Sequence, residues 1–196
     1  AKYEPALEDF NKALRINPNK SDYYNARGLV YGYLENTNNA LSDFDRAIQL
    51  DPNFAEAYLN RASAYSSIKN YPKARQDLEK AAKLSPKNPE IYFQKGRMNY
   101  KLEMHDKAVK DFTKALELGL KHEKVYYNRA NAYFKIEDYR NAIEDYTKTL
   151  QFDPKDDEAR NNRAVAYDKL GMSDKAQKDR DILNEMAGNI FTPIEK

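Results

Sequence analysis

Alanine recurs every 34 residues along the chain, at Ala6, Ala40, Ala74, Ala108, Ala142 and Ala176, with no insertion between any two. The same frame aligns Phe10, Phe44, Leu78, Phe112 and Tyr146, then Ala13, Ala47, Ala81 and Ala115, then Pro18, Pro52, Pro86 and Pro154. Each repeat holds two apolar patterns of helical spacing, such as Tyr58, Ala62, Tyr65 and then Ala74, Leu78, Ala81, so each predicts two amphipathic helices. The first helices fall near 21–34, 55–68, 89–102, 123–136 and 157–170. The second helices fall near 3–16, 38–50, 72–84, 106–118, 140–152 and 174–187. Polar stretches at 69–72 and 137–139 separate the two helices of a repeat, and Asp51-Pro52 or Asp153-Pro154 ends the second, because proline cannot continue the hydrogen-bond ladder.

Small residues at Gly28, Ala62, Gly96, Ala130 and Ala164 match the alanine column of the second helices. Two backbones approach closely there while aromatic rings fill the flanks. Tyr24, Tyr58, Tyr92 and Tyr126 make one packing column, and Tyr31, Tyr65, Tyr133 and Tyr167 another. A tyrosine ring suits a thin two-layer solenoid, since its hydroxyl reaches solvent or a neighbouring backbone. Two polar columns keep the same period. Arg27, Arg61, Lys95, Arg129 and Arg163 lie on first helices, and Asp9, Asp43, Asp77, Asp111, Asp145 and Asp179 on second helices. The basic column precedes the small packing position by one residue, at the margin of the hairpin contact, so an ion pair between helices satisfies both. For Arg129 the partner is Asp111 or Asp145.

These columns resemble the tetratricopeptide repeat (TPR) family over essentially the whole chain. The resemblance implies an all-α fold, a right-handed superhelical solenoid of antiparallel helix pairs with first helices lining a concave groove. Asn99, Leu120 and Thr149 depart from the pattern singly. The frame divides the chain into an N-terminal half repeat at 1–20, repeats at 21–54, 55–88, 89–122 and 123–156, a cap-like terminal repeat at 157–188 and a tail at 189–196. Starting inside a second helix leaves an apolar face without its partner, which is costly in a solenoid, and points to a fragment of a longer protein. Arg160 and Arg180 replace aromatic columns in the last repeat, as expected of a repeat that turns a polar face to water.

Composition narrows the chemistry. Among 196 residues, 33 Lys+Arg face 31 Asp+Glu, for a formal charge of +2. That balance disfavours nucleic-acid binding, which draws its affinity from a basic stripe. No apolar run approaches the roughly 20 residues of a membrane span. The absence of cysteine removes disulfides and thiol or thiolate-metal sites and leaves the compartment open. No phosphate-binding glycine loop, zinc-protease motif or nucleophile elbow occurs. His105 and His122 stand in separate turns and are read as surface or packing residues. The chain is therefore expected to be no enzyme, with no catalytic residue, metal site or cofactor.

Candidate binding residues lie opposite the hairpin face of the first helices. Asn60 follows Tyr58 by two residues, about 200° round the helix. Asn60, Gln94, Asn128 and Asn162 form one carboxamide column, interrupted by Ala26. A carboxamide carries a donor and an acceptor and pairs with an extended backbone without reading side chains. The column resembles the asparagine ladder in the TPR superhelix of O-linked N-acetylglucosamine transferase, and that resemblance implies a grip on a peptide backbone. Arg97, Lys101, Lys124 and Lys135 surround it, with Phe93, Tyr100, Tyr127 and Phe134 between them and Asn131 on the same face. Glu56, Glu90, Glu158 and Asp168 stand against these cations, so the groove is mixed, most basic from Arg97 to Lys135, and suited to an acidic or C-terminal peptide. The carboxylate clamp of chaperone-binding TPR domains is not reproduced. Asn60 and Asn128 match its middle Asn and Lys124 its third-helix Lys, but its first-helix Lys falls on Asn25, Leu59, Phe93, Tyr127 and Asn161.

The expected function is a non-catalytic protein-interaction scaffold binding an extended peptide or partner helix in the concave groove. The alternatives are self-association through the exposed N-terminal helix and service as the regulatory arm of a larger multidomain protein.

Overall fold

The computed structural model describes residues 3–188; the expected tail at 189–196 lies outside them. The described residues form eleven helices and no strand: α1 (Glu4–Ile16), α2 (Ser21–Tyr33), α3 (Thr37–Leu50), α4 (Ala55–Ser67), α5 (Tyr71–Leu84), α6 (Pro89–Lys101), α7 (His105–Glu117), α8 (Glu123–Lys135), α9 (Tyr139–Phe152), α10 (Asp157–Lys169) and α11 (Ser173–Gly188). The all-α expectation holds. Helices α3, α5, α7, α9 and α11 begin one residue earlier than the apolar spacing suggests, and at α3, α5 and α9 the polar residue at the break is the cap rather than part of a loop. Asn36, Asn70 and Asp138 each accept a hydrogen bond from the backbone N–H three residues on, at Asn39, Lys73 and Asn141, which satisfies an otherwise orphaned helical donor.

The helix preceding each cap ends in a left-handed residue. Glu35, Lys69, Glu103 and Glu137 have φ near 60°, and Gly171 takes the same place in the last repeat. The Asn36 N–H reaches the Tyr31 carbonyl at 2.9 Å and the Glu35 N–H the Gly32 carbonyl at 3.1 Å. This is the Schellman closure, and it recurs at Glu137 and Gly171. Between repeats, the tyrosine column explains itself. The Tyr58 and Tyr92 hydroxyls donate to the carbonyls of Pro52 and Pro86 at 3.3 and 3.2 Å, tying each first helix to the turn before it.

The chain forms two compact units, α1–α6 and α7–α11. In each, consecutive helices pack as antiparallel neighbours. Ala40, Ala74, Ala108, Ala142 and Ala176 are all fully buried, beside Phe44, Leu78, Phe112 and Tyr146. Contact is close at Gly28, where a Cβ would stand 2.7 Å from the Phe44 ring. In α1 the equivalent Ala6, Phe10 and Ala13 are only half-buried and Asp9 is exposed.

The four arginines of the basic column each form the same fork with the acidic column. The Nε and Nη2 groups of Arg27, Arg61, Arg129 and Arg163 donate to the two carboxylate oxygens of Asp43, Asp77, Asp145 and Asp179 at 2.6–2.8 Å. Arg129 therefore takes Asp145, on α9, and not Asp111. The third nitrogen turns to the preceding second helix, reaching Asn11, Asp45, Thr113 and Thr147 at 2.6–3.0 Å. Each guanidinium also lies over a tyrosine of the flanking columns, as Arg27 does over Tyr24 and Tyr31 and Arg129 over Tyr133. The Asp hydrogen bonds hold Arg27, Arg61 and Arg163 above their ordinary pKa. At Arg129 burial works most strongly in the other direction, but the bonds and charge of Asp145 outweigh it. Burial in turn pushes the Asp145 carboxyl up against the pull of Arg129, so the net gain is the difference between desolvation and attraction.

Arg160 corrects the expectation of a residue turned to water. It is 8% exposed, donates from Nη2 to the Pro154 carbonyl at 2.6 Å and stands 3.6 Å from Asp179. A guanidinium here replaces the tyrosine of the other repeats and keeps that tyrosine's bond to the turn. Arg180 pairs at the surface with Asp168.

Candidate functional site

The sequence-derived binding residues divide between the two units. In the first, Asn60 stands on α4 and Phe93, Gln94, Arg97, Tyr100 and Lys101 on α6. The Asn60 amide donates to Asn25 Oδ1 at 2.9 Å, and Asn25, buried on α2, donates to Glu56 at 3.5 Å. This three-residue relay ties α2 to α4, and Asn25 was not among the expected site residues. Gln94 is held within its own helix. Its amide donates to Glu90 at 2.6 Å and its carbonyl accepts from Arg97 at 3.0 Å. Arg97 lies over the Phe93 ring at 5.9 Å. Burial pushes the Tyr100 phenol up, and Lys101 is exposed.

In the second unit, α8 carries Lys124, Tyr127, Asn128, Asn131, Phe134 and Lys135, and α10 carries Asn162. Four of these meet. Asn162 donates to the Tyr127 hydroxyl at 3.3 Å and to Asn131 Oδ1 at 3.5 Å, and Asn131 accepts from the Tyr146 hydroxyl at 2.6 Å. Burial pushes Tyr127 up to about 12, so it is a neutral phenol at neutral pH. Phe134 packs edge-on against Tyr139 with ring centroids 5.2 Å apart. Asn128 stands apart, its amide on the Lys124 carbonyl at 2.7 Å, while Lys124 and Lys135 are exposed.

The carboxamides share a chemical asymmetry. The amide nitrogens of Asn60, Asn128 and Asn162 are engaged within the chain, while their carbonyl oxygens accept no hydrogen bond among the described residues. Each can still receive a donor. Spacing could not show this, because whether a carboxamide turns to its own helix or to the preceding first helix depends on the residue one repeat earlier. Asn60 follows the acceptor Asn25, and Asn162 follows Tyr127 and Asn131.

A cavity of about 300 Å³ opens beside this face in the first unit, bounded by α2, α3 and α4. Gly32 forms part of its wall. The sequence signal was present, since Gly32 is aligned with Ser66, Tyr100, Phe134 and Asp168. No helix of the described residues is long and apolar enough to cross a membrane.

Known proteins of the same architecture are numerous at low identity. No curated protein sequence matches the chain. Among solved structures, MamA superposes with a TM-score of 0.81 at 22% identity, covering 90% of this chain and 98% of that one. YrrB, described as a TPR protein with an unusual peptide-binding site, gives 0.82 at 23% identity over 89% and 90%. PilF of Pseudomonas aeruginosa gives 0.81 at 21% identity over 94% and 84%. Tetratricopeptide repeat profiles match residues 25–89, 89–119, 123–156 and 145–178. Periodicity, hairpin geometry and these matches agree: the chain belongs to the tetratricopeptide repeat family and folds as an all-α TPR solenoid.

Proposed function

We propose that the chain is a non-catalytic protein-interaction scaffold that holds an extended segment of a partner protein along the carboxamide-bearing faces of its first helices. The observation that carries this reading is the asymmetry of Asn60, Asn128 and Asn162, whose amides are fixed by the fold and whose oxygens remain as oriented acceptors for backbone N–H groups. Prior fixing of the donor lowers the side-chain entropy lost when a peptide binds. Gln94, engaged at both ends, contributes less than the other three. Exposed Lys101, Lys124 and Lys135 favour acidic segments. The peptide-binding site attributed to YrrB is in keeping with this use of the fold.

The test is recovery of partners by the intact chain and measurement of the bound segment by calorimetry against N60A/N128A/N162A. Each neutral hydrogen bond contributes about 0.5–1.5 kcal/mol, so the triple variant loses tenfold or more in affinity, while Q94A loses less than threefold. A partner bound equally by wild type and triple variant would rule the carboxamides out.

A second reading, self-association, is favoured by α1. Its hairpin face is half uncovered, and Ile16 at its end is 86% exposed, as Tyr33 at the end of the neighbouring α2 is 65% exposed. Sedimentation velocity decides it: a monomer at every concentration ends this reading without touching the first.

A further inference from the structure

The repeat frame lets one part of the molecule report on another. Position 32 of the first hairpin corresponds to 66 in the second and 134 in the fourth, and position 37 corresponds to 71 and 139. In the second hairpin Tyr71 packs against the core cluster of Ala62, Ala74 and Leu78. In the fourth, Phe134 and Tyr139 meet edge-on at 5.2 Å. The first hairpin has Gly32 and Thr37 at these two places, and the 300 Å³ cavity lies there. The space next to these positions, where the second and fourth hairpins carry rings of the chain's own, is left open in the first.

The glycine is not required by packing. A Cβ at Gly28 would collide with Phe44, but a Cβ at Gly32 would meet nothing within 4 Å. Glycine inside a helix lowers its stability, and here no close contact offsets that. Departures from local rules without a packing reason mark functional positions.

The walls state the occupant's chemistry. Leu29, Tyr33, Ala64 and Phe44 supply apolar surface, with Ser63, Ser67 and Thr37 as hydroxyls and Asn60 as a carboxamide. None is charged, in a chain of which 33% is. A charged side chain entering would be desolvated without a partner, so charge complementarity selects a neutral occupant. About 150 Å³ of apolar cavity suffices for a benzene ring, and this one is larger. One wall is braced, because the Tyr33 ring stacks on Tyr3 at 5.0 Å and 5° between planes.

We infer that the cavity between α2, α3 and α4 is a receptor for one aromatic side chain, phenylalanine or tyrosine, of a bound peptide. It rests on the proposed function to the extent that the ring belongs to a segment whose backbone is held by Asn60, which lines the same cavity. The first hairpin would thereby read a side chain, while the carboxamides read only backbone.

The experiment titrates the chain with 4-methylphenol, acetyl-Ser-Phe-Ser-amide and acetyl-Ser-Ala-Ser-amide, following backbone amide resonances. Saturable shifts centred on Gly32, Ser63, Ala64 and Ser67 are expected with the first two probes and not with the third. Gly32→Phe places a ring of the chain's own in the cavity and is expected to weaken both aromatic probes at least tenfold. Thr37→Tyr does the same from the opposite wall, should Gly32→Phe fail to fold by circular dichroism. N128A/N162A is expected to bind 4-methylphenol as wild type does, which separates this site from the carboxamide reading. Absence of saturable shifts, equal response to the alanine peptide, or aromatic binding that survives both filling variants would overturn the inference and leave the proposed scaffold function standing.

Discussion

The hairpin of α2 and α3 and the hairpin of α8 and α9 carry the same guanidinium fork, yet one is open where the other is filled. Arg27 meets Asp43 at 2.7 Å through both nitrogens, and Arg129 meets Asp145 at 2.6 and 2.8 Å. Around each, the second residue of the turn is left-handed and the next caps the following helix. On the opposite face the two diverge, Gly32 and Thr37 against Phe134 and Tyr139. The difference teaches which side of a repeat is constrained. A buried fork tolerates no unpaired member, because one stranded charge costs more than the pair contributes. A face that borders solvent carries no such penalty, so rings, small residues or the carboxylate of Asp168 all fit the same backbone.

The largest effect follows from breaking the shared element. Asp43→Ala and Asp145→Ala each strand a guanidinium beside a carboxylate site that is almost wholly buried, and each is expected to lower stability by about 3–5 kcal/mol. The two losses should agree within about 1 kcal/mol if the forks are equivalent. Denaturant melts of both variants test this. Losses nearer the 0–1 kcal/mol of exposed ion pairs would mean the forks are ornaments of the surface.

The next effects sharpen the contrast between the two glycines of α2. Gly28→Ala drives a methyl group to 2.7 Å from the Phe44 ring and is expected to cost about 1–3 kcal/mol through overpacking. Gly32→Ala meets open space and is expected to gain about 0.5–1 kcal/mol from helix propensity and the reduced freedom of the unfolded chain. Ala130, at the position equivalent to Gly28, already carries its methyl beside Tyr146. Thermal melts of the pair should therefore move in opposite directions, and movement in the same direction would show that the cavity is not open in solution.

The contrast also explains what the sequence made legible. Period, helix pairing and the close-contact column were all readable because burial allows few residue types, and the alanine column survives unbroken from Ala40 to Ala176. The existence of the Arg and Asp pairing was readable for the same reason, but its direction was not. Asp111 and Asp145 both flank α8 in the frame, and only geometry separates the fork to Asp145 from the single bond to Thr113. Nor was Arg160 readable as a buried residue, since charge in a terminal repeat suggests solvent, whereas its long stem carries the guanidinium back to the Pro154 carbonyl. At the candidate site, the carboxamide column was visible as a spacing. Its polarity, with amides fixed and oxygens open, was not, because it is set by neighbours one repeat away rather than by residues within the same helix.

The smallest effect concerns the turns that the two hairpins have in common. Glu35 and Glu137 sit at φ 57° and 63°, where a side chain costs about 1–2 kcal/mol relative to the right-handed region. Glycine removes that strain but adds about 0.4–1 kcal/mol of unfolded-state entropy to be lost on folding, so Glu35→Gly and Glu137→Gly are each expected to gain only about 0.5 kcal/mol, the difference of these two effects. Gly171 already occupies the equivalent place at φ 71°, and Gly171→Glu should lose a similar amount. The three measurements are reciprocal versions of one substitution in one Schellman closure. A gain at Glu137 without a gain at Glu35 would show that the turns are not equivalent, although the Glu35 and Glu137 N–H groups reach the Gly32 and Phe134 carbonyls at the same 3.1 Å.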